Sequence, residues 1–98
     1  MSYVIRLDDR AINEADEAYR YYEEKQAGLG DRFKDELNEC MHYIQNNPYQ
    51  FKKVKGQIRE AVIKTFPYII VYKVVKEIII VGAVFHTSQN PKKKFNND

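Results

Sequence analysis

The spacing of hydrophobic residues changes at Pro48, and this change limits the folds that the chain can adopt. Before Pro48, apolar side chains recur every three or four residues, which is typical of amphipathic helices. After it, β-branched and aromatic residues come in short runs that are typical of strands. The chain has 98 residues, enough for one core but not for two, so both halves are predicted to pack together as one domain spanning residues 1–98.

The first half predicts a strand followed by two helices. The alternating run Tyr3–Leu7 predicts a short opening strand. Two apolar stripes follow, made of Ala11, Ala15, Ala18, Tyr19 and Tyr22 in the first and of Phe33, Leu37, Cys40, Met41 and Ile44 in the second. Gly28 and Gly30 mark a tight break between the stripes, and Pro48 ends the second helix because proline disfavours helical backbone in the residue before it. The short connection predicts an antiparallel helix hairpin.

The second half predicts an antiparallel meander. Residues 49–56 are polar and basic, which indicates a loop or a short edge strand, and residues 58–64 alternate only imperfectly. Residues 68–75 and 78–85 are β-branched and aromatic throughout, as in central strands that are buried on both faces. Residues 76–77 between them fit a two-residue hairpin connection.

Together these patterns predict an α+β fold. The helix hairpin is expected to pack on one face of a mainly antiparallel sheet and to leave the other face available. Residues 90–98 have no hydrophobic periodicity and predict a flexible tail. Arg59 and Lys64 are an odd number of positions apart, so in a regular strand they would face opposite sides of the sheet.

Charge is unevenly distributed along the chain. Residues 1–50 carry a net charge of −5 and residues 51–98 carry +7, for a total of +2. The basic half predicts contact with nucleic acid or an acidic protein, although solvated surface lysines would give the same pattern. No apolar run is long enough to cross a bilayer, and the charged first ten residues argue against a signal peptide. The single cysteine fits a reducing cytoplasm, where we expect the protein to reside.

Arg59 and His86 are the candidate catalytic residues. A histidine at a strand end could donate or accept a proton during attack of an RNA 2′-hydroxyl on the adjacent phosphate. The Arg59 guanidinium could stabilise the charge that develops on that phosphate. Each has a structural alternative: His86 could cap its strand, and an exposed Arg59 could form an ion pair across the sheet or with an acidic partner. The two histidines lack metal-ligand spacing, so neither a metal nor another cofactor is predicted.

A wider set of basic and aromatic residues could bind a nucleic acid or a protein partner. Lysine clusters can follow a phosphate backbone, and exposed tyrosines can stack on bases. The candidates are Lys52, Lys53, Lys55, Arg59, Lys64, Tyr68, Tyr72, Lys92 and Lys93. The alternative for the lysines is a charged loop and tail, and the more usual position for the two tyrosines is the core.

The chain resembles the RelE/ParE superfamily of bacterial toxins, and in particular its ParE-like plasmid-stabilisation branch. The matching segments, in order, are YYEEKQAGLGDRF (Tyr21–Phe33), NNP (Asn46–Pro48), Ile58-Arg59, FPYIIVY (Phe66–Tyr72) and AVFHTSQNP (Ala83–Pro91). No single segment is specific, but the combination covers nearly the whole chain at the expected spacings. The FPY and FHTSQNP segments resemble the ParE branch more closely than the RelE branch.

The resemblance implies a toxin of a type II toxin–antitoxin system that is neutralised by a cognate antitoxin. A homodimer and a heterotetramer with the antitoxin are both compatible with it. The first hypothesis is growth inhibition through DNA gyrase, by binding and without a catalytic site. The second is RelE-like cleavage of ribosome-bound mRNA, in which position assigns the chemistry to Arg59 and His86. The third is a degenerate member that binds its antitoxin and is not toxic.

Overall fold

A computed structural model describes residues 3–88, and its elements follow the predicted order. They are β1 (Val4–Leu7), α1 (Asp9–Lys25), α2 (Leu29–Asn46), β2 (Lys52–Lys55), β3 (Ile58–Val62), β4 (Tyr68–Val75) and β5 (Ile78–His86). The predicted opening strand, helix hairpin and strand meander are all confirmed. The predicted tail, residues 90–98, lies outside the described residues.

The five strands form one sheet in the order β1-β5-β4-β3-β2. Strands β2 to β5 form the predicted antiparallel meander, and β1 adds to its far edge by pairing in parallel with β5. The predicted hairpin at residues 76–77 connects β4 and β5, and Lys76 adopts a φ of 57° there. Because β1, near the N-terminus, pairs with β5, the last strand, the sheet joins the two ends of the described chain.

A β-bulge explains why β5 reads as a continuous apolar run. Val71 pairs with Ala83 and Tyr72 pairs with Val81, so Gly82 is an extra residue on β5. The extra residue inverts the alternation of side chains, and as a result Val81 and Val84 both face the helices although they are three positions apart. Ala83 and Phe85, on the other face, pack in a second cluster, so apolar residues occur on both faces of the strand and on both sides of the bulge.

The main core lies between the helix hairpin and one face of the sheet. Phe33 of α2 is at its centre, 1% exposed, with ring centroids of Phe66 and Tyr68 at 5.3 and 5.1 Å. The aliphatic part of this core comes from Leu37, Ile44, Ile63, Ile70, Ile79, Val81 and Val84. Cys40 also packs here, and burial, followed by the nearby Glu39 carboxylate, raises the pKa of its thiol to about 11. The thiol is therefore protonated at neutral pH, and Cys40 serves as an apolar residue of the core.

The connection between the helices is held by the carboxylate of Glu23. Gly28 precedes α2 with a φ of 90°, in the left-handed region that favours glycine, and offers no side-chain cap. Instead, Glu23 of α1 accepts hydrogen bonds from the backbone N–H groups of Gly28 and Gly30, at 2.9 Å each. The first turn of α2 thus receives its missing acceptor from the last turns of α1, which fixes the hairpin angle.

We expect Gly30→Ala to destabilise the helix hairpin. A Cβ at Gly30 would lie 2.6 Å from the backbone oxygen of Tyr19 and 2.9 Å from Cβ of Glu23, so α2 would have to move away from α1. The expected loss in the free energy of unfolding is about 1–3 kcal/mol, measured by urea denaturation followed by circular dichroism. Ala27→Ser, at an exposed position of the same connection, is the control. A Gly30→Ala protein as stable as this control would contradict the close approach.

Two expectations about the sheet need correction. The face turned away from the helices is not available throughout, because Val71, Ala83 and Phe85 are buried in a second, smaller cluster with Ile58 and Ile69 beside them. The parity argument for Lys64 does not apply either. β3 ends at Val62, and the irregular chain beyond it places Lys64 beside Glu36 of α2, on the helix side.

Candidate functional site

Arg59 faces the helix side of the sheet and holds the connection between α2 and β2. Its Nη1 donates hydrogen bonds to the backbone oxygens of Phe51 at 2.7 Å and Tyr49 at 3.1 Å. Its guanidinium also lies over the Tyr49 ring, 5.2 Å from the centroid. The side chain is half-buried, which corrects the expectation of an exposed Arg59. Its contacts stabilise the connection between α2 and β2.

Tyr72 lies directly opposite Arg59 and holds the same connection. Its hydroxyl donates a 2.6 Å hydrogen bond to the backbone oxygen of Pro48, and its side chain is 2% exposed. Burial raises the pKa of Tyr72 to about 12, against the opposing effect of Arg59, and burial raises that of Tyr68 to about 12 as well. Stacking on a base requires an exposed ring, and both rings are in the core, which corrects that expectation for these two tyrosines.

His86 ends β5 with its ring packed edge-on against Tyr68, at a centroid distance of 4.9 Å. Its Nδ1 accepts a 3.1 Å hydrogen bond from the backbone N–H of Ser88 and lies 2.6 Å from the Ser88 hydroxyl. In the neutral ring the proton is therefore on Nε2. This contact is a backbone hydrogen bond of the kind that the structural alternative for His86 required.

The structure does not bring Arg59 and His86 together. Arg59 pairs with Tyr72 and His86 with Tyr68, on opposite sides of β4. These two tyrosines are four positions apart on β4, a distance of about 13 Å along the strand alone. A single scissile phosphate could not be within hydrogen-bonding reach of both side chains in this arrangement, since such contacts need about 3 Å.

The candidate lysines are spread over different surfaces. Lys52 and Lys55 of β2 point to the face turned away from the helices, whereas Lys53 pairs with Arg59 and points to the helix side. Lys64 lies beyond the end of β3, near the mouth of a pocket of about 430 Å³ that also contacts Glu36, Cys40 and Phe51. Lys92 and Lys93 lie outside the described residues. The lysines that can be placed do not converge on one point.

The carboxylate of Glu36, on α2, is bound by Thr65, in the connection between β3 and β4. Its carboxylate accepts hydrogen bonds from the Thr65 backbone N–H at 3.0 Å and from the Thr65 hydroxyl at 2.5 Å. Burial opposes ionisation of Glu36, but the two Thr65 hydrogen bonds, with the nearby charges of Arg32 and Lys64, together outweigh it, and the pKa is lowered. This contact spans 29 positions in the sequence, so no local pattern could have indicated it.

The outer side of the helix hairpin carries an apolar groove of about 390 Å³. Its walls come from both helices and from the end of β1, and Ile12 at its margin is half exposed. The apolar lining consists of Leu7, Ile12, Ala15, Tyr19, Phe33, Leu37 and Met41, and Asp16, Lys34 and Asn38 form the polar rim. An apolar floor with a polar rim is typical of a surface that binds a peptide segment.

Residues 3–88 contain neither a metal-binding cluster nor a membrane-spanning helix. No group of three or more histidine, cysteine or carboxylate side chains there could hold a metal ion. None of the helices in that range is long and apolar enough to cross a membrane.

A family model matches most of the chain, and a solved structure shares its fold. Residues 5–91 match the family described as "ParE toxin of type II toxin-antitoxin system, parDE". A solved structure titled "Chromosomal ParDE TA system from P. aeruginosa" is similar in fold, with a TM-score of 0.78 over 88% of this chain and 97% of that one. The two sequences are only 12% identical, so this second likeness concerns the fold alone. No curated protein sequence matches the chain significantly.

Proposed function

Because the chain belongs to the ParE toxin family of type II toxin–antitoxin systems, we propose that it inhibits growth by poisoning DNA gyrase and that a cognate antitoxin neutralises it. One observation favours the gyrase route over mRNA cleavage: the side chains of Arg59 and His86 are engaged in hydrogen bonds that stabilise the fold. Arg59 clamps two backbone oxygens, and His86 accepts a backbone hydrogen bond at a separate place. Since no acid–base pair comes together around one point, we infer that the toxin inhibits its target by binding to it.

The physical requirements of RNA cleavage support this choice. A nuclease without a metal needs a general base, a general acid and a cation arranged around one phosphate. Here the guanidinium of Arg59 is already satisfied by protein acceptors, and freeing it would cost the hydrogen bonds that hold residues 49–51. The two tyrosines that could have joined it are buried.

The apolar groove of the helix hairpin supports the second part of the proposal. An antitoxin segment with an apolar face would bury the half-exposed Ile12 and the lining of the groove, which gains roughly 25 cal/mol for each Å² removed from water. The rim residues Asp16 and Lys34 would set the register of such a segment through hydrogen bonds.

Expression of the chain in cells that lack the antitoxin tests the proposed target. We expect growth arrest with induction of the DNA-damage response, while transcripts remain intact. Cleaved transcripts in arrested cells would overturn the gyrase route in favour of the ribonuclease. Normal growth with a folded protein would show that the chain is a non-toxic member of the family.

His86→Asn separates the two routes further. The Asn Oδ1 can take the place of Nδ1 as acceptor for the Ser88 N–H, but the side chain cannot transfer a proton near neutral pH. We expect toxicity to stay within about twofold of the unaltered chain, whereas loss of a general acid–base group costs roughly 100-fold or more. The measurement is the inducer concentration that halves the growth rate, with His42→Asn on the exposed side of α2 as control. A His86-specific loss in a protein of normal stability would argue for catalysis.

A further inference from the structure

Three cations lie in one row on the sheet face turned away from the helices. Reading across the strands, Arg6 of β1 is opposite Ile80, Ile80 is opposite Lys73, Lys73 is opposite Ile58, and Ile58 is opposite Lys55. We call these five residues the cationic row. The three cations are exposed, and an isoleucine separates each from the next. Their side chains stand on every second strand, about 9.6 Å apart.

The cationic row contains no acidic residue. Within residues 3–88, the side chains of Arg6 and Lys73 make no hydrogen bond or ion pair. Two acids flank the row: Asp8, two positions after Arg6 in extended backbone beside β5, and Glu60, in the next row on β3. Arg6 and Lys73 are about 9.6 Å apart, close to the Debye length at physiological ionic strength, so they repel each other only weakly and both can accept an anionic partner.

An apolar row runs beside the cationic one. Val4, Ile78 and Val75 are opposite one another on the three adjacent strands, two positions along from Arg6, Ile80 and Lys73. Val4 is 57% exposed and Val75 is 44% exposed. The surface is thus amphipathic, with an apolar strip and a cationic strip that both run across the strands.

We propose that the cationic row and the apolar row together bind an acidic amphipathic helix of a partner protein, lying across the strands. Seven residues of α-helix rise about 10.5 Å, which matches the spacing of about 9.6 Å between the cations of the row. Acidic side chains at positions i, i+7 and i+14 would therefore meet Arg6, Lys73 and Lys55 in turn. An extended segment cannot do this, because its side chains on one face repeat at about 6.6 Å.

A protein helix fits this surface better than a nucleic acid does. Single-stranded RNA and DNA are held by stacking on exposed aromatic rings as well as by charge. Phe85 is the one aromatic side chain that the strands described here place on this face, and it is 2% exposed. The groups between the cations are isoleucines, which contact apolar side chains and offer no hydrogen bonds to bases.

Two 22-residue peptides of identical Glu, Leu and Ala content test the inference. One carries glutamate in heptad spacing with leucine on the adjoining stripe, and the other has the same residues redistributed around the helix. Each is titrated into the ¹⁵N-labelled full chain. We expect the heptad peptide to bind at least about five times more tightly, because two or three exposed ion pairs are added. The amide shifts should be largest at Arg6, Lys73 and Ile80.

Matched double variants locate the contact. Arg6→Gln with Lys73→Gln is expected to weaken binding of the heptad peptide by about tenfold. Arg20→Gln with Lys25→Gln, on exposed positions of α1, removes the same charge and should leave binding within twofold. Equal affinity for both peptides, equal loss in both double variants, or no binding of either peptide would overturn the inference. So would tighter binding of a 12-nucleotide single-stranded RNA at the same amides. None of these measurements uses gyrase or an antitoxin, so their outcome is independent of whether the proposed function is correct.

Discussion

Phe33→Ala is expected to lower the free energy of unfolding by about 3–5 kcal/mol, because it removes a fully buried aromatic ring from a core that cannot close around the gap. The Phe33 ring packs against Tyr22, Phe66 and Tyr68 at centroid distances of 5.1 to 5.6 Å. These neighbours belong to α1, to the loop before β4 and to β4 itself, so the cavity would lie where three parts of the fold meet. Urea denaturation followed by far-ultraviolet circular dichroism measures the loss.

Tyr43→Ala provides the control, because Tyr43 is an aromatic residue of the same helix that is 52% exposed. It should change the free energy of unfolding by no more than about 0.5 kcal/mol. Phe33→Leu should fall between the two, since leucine refills part of the volume. If Phe33→Ala and Tyr43→Ala cost the same, the helix hairpin does not pack on the sheet through Phe33.

Arg59→Ala is expected to cost about 2–4 kcal/mol, because two backbone oxygens lose hydrogen bonds from a charged donor. The expected damage is local at first: residues 49–51 detach from the sheet, and the 2.6 Å bond from Tyr72 to Pro48 becomes the main remaining anchor of the connection. Hydrogen exchange of the β2 and β3 amides should accelerate more than that of β5. Equilibrium unfolding and exchange, measured on the purified chain, report these two effects.

Arg20→Ala is the matched control for this prediction. Arg20 forms an exposed ion pair with Asp16 at 3.1 Å, a type of contact worth at most about 1 kcal/mol. Arg59→Lys should recover only part of the stability, because an ammonium lacks the planar fork and the stacking on Tyr49. An Arg59→Ala chain that is as stable as Arg20→Ala but has lost its toxicity would mean that the guanidinium acts on a substrate, against the structural role described above.

The sequence is sufficient to predict the elements of this fold because each element has a local signature. The stripes of α1 and α2, the hairpin at residues 76–77 and the helix end before Pro48 all depend on residues close together in the chain. Contacts between distant segments have no such signature. Glu36 meets Thr65, and Tyr72 meets Pro48, only because the hairpin and the sheet pack as they do.

The candidate site shows the same limit. Alternation in β3 indicates that Arg59 and Ala61 share a face, but both faces of this strand carry apolar residues, so the side that meets the helices is not indicated. The cationic row could not be predicted either. It depends on the register of five strands, and the bulge at Gly82 shifts that register between β4 and β5. Arg6 and Lys73 therefore come to lie in one row, on either side of Ile80, only in the folded sheet.

We propose that this ParE family member acts by binding to gyrase and not by cutting RNA. The direct test combines the purified chain with purified DNA gyrase, ATP and relaxed plasmid. We expect loss of supercoiling and accumulation of cleaved, gyrase-bound DNA, to the same extent with the unaltered chain and with His86→Asn. Full gyrase activity in the presence of excess toxin, together with cleavage of mRNA on translating ribosomes that His86→Asn abolishes, would contradict it.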